Sequence, residues 1–470
     1  METISRLIID FADFLGGYPL FFLLIGGGLY MFLRSGMVSL RRLPYAIKAL
    51  RGNSDSGQGQ ISSAQALVSV VAATVGMGNI AGVAIALVMG GPGAIFWMWV
   101  SAIVGMSTKF HEGVLAIMYK GRGSDGSPQG GPMYIIERGL GPRWRPLAVF
   151  FAVAGMFGTL CIMNANQLTE AFMNVFVSPE WLESNQVLTD IGAAMGMDGH
   201  HAFRLIFGMV IALIVALVVL RGIKRIARVA SVLVPAMVGL YFVMVLYIII
   251  TNITQVPGVI HSIFAEAFNM RAGFGAFAGI AIIGARRAAL VNDAGIGTAS
   301  IMHGASNNPE PVREGLVAML GPGIDSGLVC TLTALAILLC GDIHVEGVKG
   351  LAVAMGAFSA GVPYGQYLLM VVVACFALSS MFSYSFYGTR CAAYLFGERR
   401  ARFYTWAFIA TLVIFAVIPL ETAVGIADLF YALMAIPTML TLLMLSAHVR
   451  MATRRYFSTT EKATSIIPEN

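Results

Sequence analysis

Charge is what this sequence has least of: only 11% of its 470 residues are Asp, Glu, Lys or Arg, 58% are hydrophobic, and the mean hydropathy is +0.80. No soluble globular composition looks like this, and a polytopic membrane protein does. Paired cysteines are also missing. Cys161, Cys330, Cys340, Cys375 and Cys391 lie in or beside apolar runs without metal-ligand or redox spacing, so they read as small buried hydrophobes. A phosphate-binding Gly-Lys-Ser/Thr loop is absent, which removes ATP hydrolysis as the source of work. His111, His261, His303 and the pair His200-His201 are scattered, with no ligand triad and no nucleophile beside a base, which argues against an intramembrane enzyme. The alternation of an outer-membrane barrel is lacking too. The net charge of +6 sits in short loops between apolar runs, so it reflects topology in a lipid bilayer rather than nucleic-acid binding.

What is present begins with Ala73-Thr74-Val75-Gly76-Met77-Gly78-Asn79-Ile80-Ala81-Gly82, inside an uncharged run over residues 64–89. As one continuous helix that run would be about 39 Å long, against a hydrocarbon core of about 30 Å. The excess leaves room for a break at the two glycines. An unwound midpoint exposes backbone groups that only protein, water or a ligand can satisfy. Carbonyls ending the first half-helix suit a cation or an ammonium, and the amides of Gly78, Asn79 and Ile80 opening the second suit a carboxylate. The pairing fits a zwitterion. The same glycines would equally serve close packing between helices. No strand precedes them, which argues against a dinucleotide fingerprint.

The hydropathy pattern predicts an all-α polytopic fold with eleven transmembrane helices, over 18–36, 64–89, 94–119, 147–177, 203–220, 229–251, 256–290, 312–339, 363–386, 404–420 and 422–447. Residues 40–51 form an interfacial amphipathic helix and 52–60 a polar linker. The N-terminus, lacking a basic leader, is expected to be retained. On this plan Arg6, Arg204 and Lys349 lie on one side, Arg271 is unassigned, and every other Lys and Arg lies opposite. The positive-inside rule then puts the N-terminus outside and the C-terminus in the cytoplasm. Arg286 and Arg287 read as anchors at the inner face.

Setting aside a peripheral first helix leaves ten spans, five and five, whose opening members run in opposite directions. An inverted repeat follows, with segments 1–60 (peripheral), 61–251 (first repeat), 252–447 (second repeat) and 448–470 (cytoplasmic tail). The second opening member carries its own glycine-rich stretch, Gly273-Phe274-Gly275-Ala276-Phe277-Ala278-Gly279. Broken helices at corresponding places in two halves point to a transporter site. Carbonyls near Phe274 could take an ammonium, and Phe274 or Phe277 could close the pocket. Ordinary glycine packing is the duller account of that stretch.

Asp325 stands about a dozen residues into an apolar span, where an acid is costly and usually functional; it is assigned to ion coupling or to a structural hydrogen bond. Lys109 and Glu112, three apart on one helix, are assigned to an inner gate or an ion pair.

The first motif, then Gly90-Gly91-Pro92-Gly93-Ala94-Ile95-Phe96-Trp97-Met98-Trp99, Gly130-Gly131-Pro132-Met133-Tyr134, Asn292-Asp293-Ala294-Gly295, Pro311-Val312-Arg313, Ile324-Asp325 and Tyr394-Leu395-Phe396-Gly397, resemble in sequence and order the alanine/glycine:cation symporter family. The resemblance implies a leucine-transporter-type fold and uptake of a small neutral amino acid, glycine or alanine first, coupled to sodium or protons. It implies a prokaryotic inner membrane and no cofactor beyond the coupling ion. By similarity, carbonyls of Ala72 and Val75 with hydroxyls of Ser379 and Ser380 would bind sodium. Thr74, Gly76, Met77, Gly78, Asn79, Ile80, Asn164, Gly273, Phe274, Gly275, Phe277 and Tyr384 would form the substrate pocket. Met77 stands where the family usually has Thr, Asn164 where it has Gln, Tyr384 where it has Trp, and Val291 and Asp293 where it has Ser and Glu. A channel, or a sensor built on the same pocket, are the competing readings, and the sequence carries no signal for oligomeric state.

Overall fold

Ser62 shows how these helices begin: its hydroxyl accepts the Gln65 amide at 3.2 Å while the Gln65 side chain accepts the Ser62 amide at 3.0 Å, a reciprocal cap. In the computed structural model, which describes residues 18–51, 59–268, 274–341 and 350–465, nearly every apolar run becomes helix. In chain order these are α1 (Pro19–Arg34), α2 (Leu43–Arg51), α3 (Ser63–Thr74), α4 (Gly78–Gly90), α5 (Gly93–Met118), α6 (Pro142–Phe176), α7 (Gly199–Val219) and α8 (Ile223–Thr251). There follow α9 (Val256–Ala267), α10 (Phe274–Asn292), α11 (Thr298–Gly304), α12 (Pro311–Cys340), α13 (Leu351–Gly361), α14 (Gly365–Phe396), α15 (Glu398–Val417) and α16 (Leu420–Ser465).

Among the described residues eight helices are long and apolar enough to cross a membrane, and nine if α3 and α4 count as one bent span. The fold is thus all-α and polytopic. Three differences from the hydropathy reading stand out. Helix α1 is shorter than a full span and contains a π turn over Phe22–Gly26. The run read as one span over 256–290 is two helices, α9 and α10. Helix α13 forms where a loop was expected, and loop 120–145 carries a small antiparallel ribbon pairing Gly121–Arg122 with Pro128–Gln129.

Glycine lets three helices cross closely. A methyl at Gly284 of α10 would sit 2.2 Å from the Ala94 carbonyl of α5, and one at Gly113 of α5 would sit 2.9 Å from Gly315 of α12. In lipid, where helices gain little from hiding apolar surface from one another, such small-residue contacts carry association.

At one end of the bundle a buried polar knot ties these elements together. Glu314 of α12 accepts His303 Nδ1 at 2.6 Å, Ser63 Oγ at 2.6 Å, Ser306 Oγ at 3.0 Å and Asn308 Nδ2 at 3.1 Å. Gln60 and Ile61 meanwhile pair by backbone with Ala305 and Asn307. The start of α3 and the end of α11 are therefore held by one carboxylate.

Candidate functional site

The first interruption forms as its glycines dictate. Helix α3 ends at Thr74, Val75 is extended with ψ 96°, and α4 restarts at a 57° angle. Asn79 replaces the lost helical bond: its Oδ1 accepts the Gly76 amide at 2.9 Å, and its Nδ2 donates to the Asp325 carboxylate. It is a side-chain staple across the gap.

The break expected at Gly273–Gly279 falls partly outside the described residues, α9 ending at Ala267 and α10 beginning at Phe274, and a further interruption follows α10. Gly275, Phe277 and Gly279 are helical residues of α10, and Gly273 falls outside the described residues. The chain leaves the helix at Asp293, with Asp293, Gly295 and Gly297 all at positive φ (52°, 87° and 99°), and resumes at Thr298. Asn, Asp and Gly are the residues that tolerate this backbone, and a β-carbon at Gly295 would meet Met439 Sδ at 2.4 Å. Glu112 Oε1 accepts the freed Gly295 amide at 2.7 Å, Asn292 Oδ1 accepts that of Ala294 at 2.9 Å, and Thr438 donates to the Ile296 carbonyl at 3.0 Å.

Between the two interruptions lies a cavity of about 170 Å³. Of the residues assigned from sequence, it gathers Thr74, Gly76, Met77, Gly78, Asn164 and Tyr384. Asn79 and Ile80 are wholly buried and do not line it. Nor does Phe277, whose ring instead packs 5.7 Å from Trp97, beside Phe268, while the contacts expected at Phe274 and Gly275 lie outside the described residues.

The cavity also has walls that the sequence reading passed over. Asp293 lines it, with its Oδ2 accepting from Tyr384 Oη and, at 3.3 Å, from Thr298 Oγ1; Tyr431 Oη in turn donates to Tyr384 Oη at 2.9 Å. Arg287 lines it from α10 and Asp428 from α16, with their opposite charges acting on each other. Arg287 is therefore a cavity residue, a role the sequence reading did not give it. Gln167, one turn beyond Asn164, joins the lining because α6 breaks at Cys161, which has φ 55° and faces the cavity too. Only the turn-forming run Asn292-Asp293-Ala294-Gly295-Ile296-Gly297 signalled any of this in advance.

Behind the first interruption, Ser379 Oγ donates to the Ala72 carbonyl at 3.0 Å, and Ser380 Oγ donates to Ala73 at 2.9 Å and reaches Ala72 at 3.4 Å. Val75 adds a carbonyl outside the helical pattern, and a β-carbon at Gly76 would lie 2.9 Å from Ser380 Oγ. Hydroxyl and carbonyl oxygens of this kind are hard donors, suited to a hard cation. Lys109 and Glu112 are fully buried; Glu112 bonds the second interruption, and no ion pair within 4.0 Å joins the two. Asp325 meets the first interruption through Asn79.

Comparison with known proteins bears on what the cavity serves. A crystal structure of MhsT in complex with L-phenylalanine matches with a TM-score of 0.51 at 12% identity, covering 84% of this chain and 98% of that one, which shows a shared leucine-transporter-type fold. A sodium/alanine symporter, AgcS of Methanococcus maripaludis, is 37% identical over 97% of this chain and 98% of its own. A probable sodium/glutamine symporter, GlnT of Bacillus subtilis, is 32% identical over 97% and 91%. These relatives are transporters, not enzymes. The sodium:alanine symporter family matches residues 1–468, and the chain belongs to that family.

Proposed function

We propose that this multi-pass membrane protein imports a small neutral amino acid, with alanine and glycine first in line, by alternating access about the two interruptions. Its family supports the coarser statement, a sodium-coupled amino-acid symporter. The observation that carries the finer one is the cavity itself, small, closed in by Met77, and flanked by interrupted helices on two sides. The substrate carboxylate is read onto the amides opening α4 and its ammonium onto Asp293. Sodium is read onto Ala72, Val75, Ser379 and Ser380. Dipole ends and bare backbone serve both charges without burying a full counter-ion for each. Lys109, Glu112 and Asp325 act in coupling through their grip on the two gaps.

The five-plus-five repeat, the eleven-span count, an inner-membrane location and an external N-terminus complete this reading, supported by the segregation of Lys and Arg. A second reading, a substrate with an amide side chain, draws on Asn164 and Gln167, two amides on one cavity wall. Uptake of labelled glycine, alanine and glutamine into proteoliposomes, with sodium and pH gradients imposed separately, tests both. Saturable sodium-driven uptake of alanine or glycine is expected. Uptake restricted to glutamine would replace the first reading with the second, and ligand binding without flux would make the protein a sensor.

A further inference from the structure

A charged cluster meets the cavity at Asp293 and extends into the packed interior behind it. Lys109 and Glu112 of α5, Asp293 at the second interruption and Asp325 of α12 are each no more than 1% exposed. Lys109 acts electrostatically on all three carboxylates. Yet Lys109 Nζ, Glu112 Oε2 and Asp325 Oδ2 have no hydrogen-bond partner among the described residues.

The charges do not balance. One ammonium against three carboxylates would bury two uncompensated negative charges, and interiors neutralise such an excess with a cation or a proton rather than tolerate it. Space decides between them. Asp293 alone of the four lines the cavity, and the others are packed in. A proton needs no room; a sodium ion needs a shell of oxygens. One oxygen of each carboxylate is already engaged: Asp325 Oδ1 by Asn79, Glu112 Oε1 by Gly295, and Asp293 Oδ2 by Tyr384 and Thr298. Glu112 has a cation, Lys109, one turn away on its own helix. Asp325, like Glu112, keeps an orphan oxygen, but it has no cation on its own helix within the segment Gly323–Val329.

Resting on the symporter reading above, we infer that this cluster is a proton site, with Asp325 Oδ2 as acceptor, Lys109 as fixed counter-charge and Asp293 as its contact with the cavity. A hydronium ion entering the cavity loses its proton and is left as water: one of its O–H bonds breaks, an O–H bond forms at Asp325, and the cluster's excess negative charge falls from two to one. The groups acting on Asp325 are Thr74 of α3, Asn79 of α4, Lys109 of α5, Asp293 where α10 ends, and Cys330 on its own helix. Asn79 passes the change to the Gly76 amide, while Glu112 holds the Gly295 amide, so one proton acts on both interruptions. It crosses with the substrate, beside the sodium ion.

The test is substrate-induced proton movement in proteoliposomes holding a trapped pH dye, with sodium equal on both sides and alanine, glycine or glutamine added outside. The unmodified protein should acidify the lumen, and Asp325→Asn should bring the signal down to the vesicle leak. Glu112→Gln, checked for a monodisperse folded protein, serves as the second variant and should lower the flux and flatten its pH dependence. Sodium-driven uptake measured in the same vesicles separates the two levels of the argument. Sodium-driven uptake without any proton movement overturns the proton site and leaves the symporter. Movement of a second sodium ion per substrate without protons overturns it in favour of a metal site. Absence of uptake for all three amino acids overturns the reading beneath it.

Discussion

Asn79 stands between Gly76 and Asp325, accepting the amide of one and donating to the carboxylate of the other. The first gap is therefore not loose chain but a position set by a helix that reaches it from the other half of the sequence. Removing that side chain leaves a buried amide and a buried carboxylate without partners at once.

Asn79→Ala should cost about 2–5 kcal/mol, since each stranded buried group costs about 1–3 kcal/mol and the charged one more. Thermal unfolding in detergent reads the loss, and amino-acid uptake should fall with it. Asn79→Asp would place two carboxylates together and should be worse than alanine.

Ser379→Ala and Ser380→Ala should each raise the sodium concentration needed for half-maximal uptake, by about tenfold for a lost ligand worth about 1.4 kcal/mol. Both hydroxyls donate only to carbonyls of α3 and to their own helix or Met237, so stability should change little. A sodium dependence unaltered in the double variant would remove the serines from the ion site.

Met77 is a buried wall of the cavity. Met77→Ala should admit a larger side chain, shifting preference by about 1–3 kcal/mol per accommodated methylene, as competition against labelled alanine would show. Met77→Thr restores a hydroxyl and should favour alanine further.

Tyr384→Phe removes the donor to Asp293 and breaks the chain from Tyr431. Substrate affinity should weaken by about 1–3 kcal/mol if Asp293 must be held to receive an ammonium. Isothermal binding measurements decide it, and an unchanged affinity would release Asp293 from that role.

Glu314→Gln should destabilise by about 3–5 kcal/mol, because His303 and three further donors converge on that buried carboxylate. Cysteine accessibility at Ser63→Cys should rise in this variant as the knot loosens.

Helices and the first gap were legible because composition and hydropathy depend only on local residues. Val75-Gly76-Met77-Gly78-Asn79 combines helix-breaking glycines with the side chain that staples the break, so local chemistry and outcome agree. Within Gly273–Gly279 the described residues are helical, because glycine permits a break without demanding one; Gly279 has open space around it and stays helical. The gap after α10 needed turn residues read in place of glycine density. Arg287, Asp428 and Gln167 were invisible because only the packing of α6, α10 and α16 brings them to one wall.

The reciprocal cap at Ser62 makes α3 a self-contained rod pivoting at Val75. Its twelve residues span about 18 Å, so turning it by about 20° would carry its far tip about 6 Å. That sweep exceeds the reach of any hydrogen bond made by Ser63 to Glu314. A modest rotation at the gap thus severs the polar knot outright, making passage on that side a two-position event rather than a gradual widening.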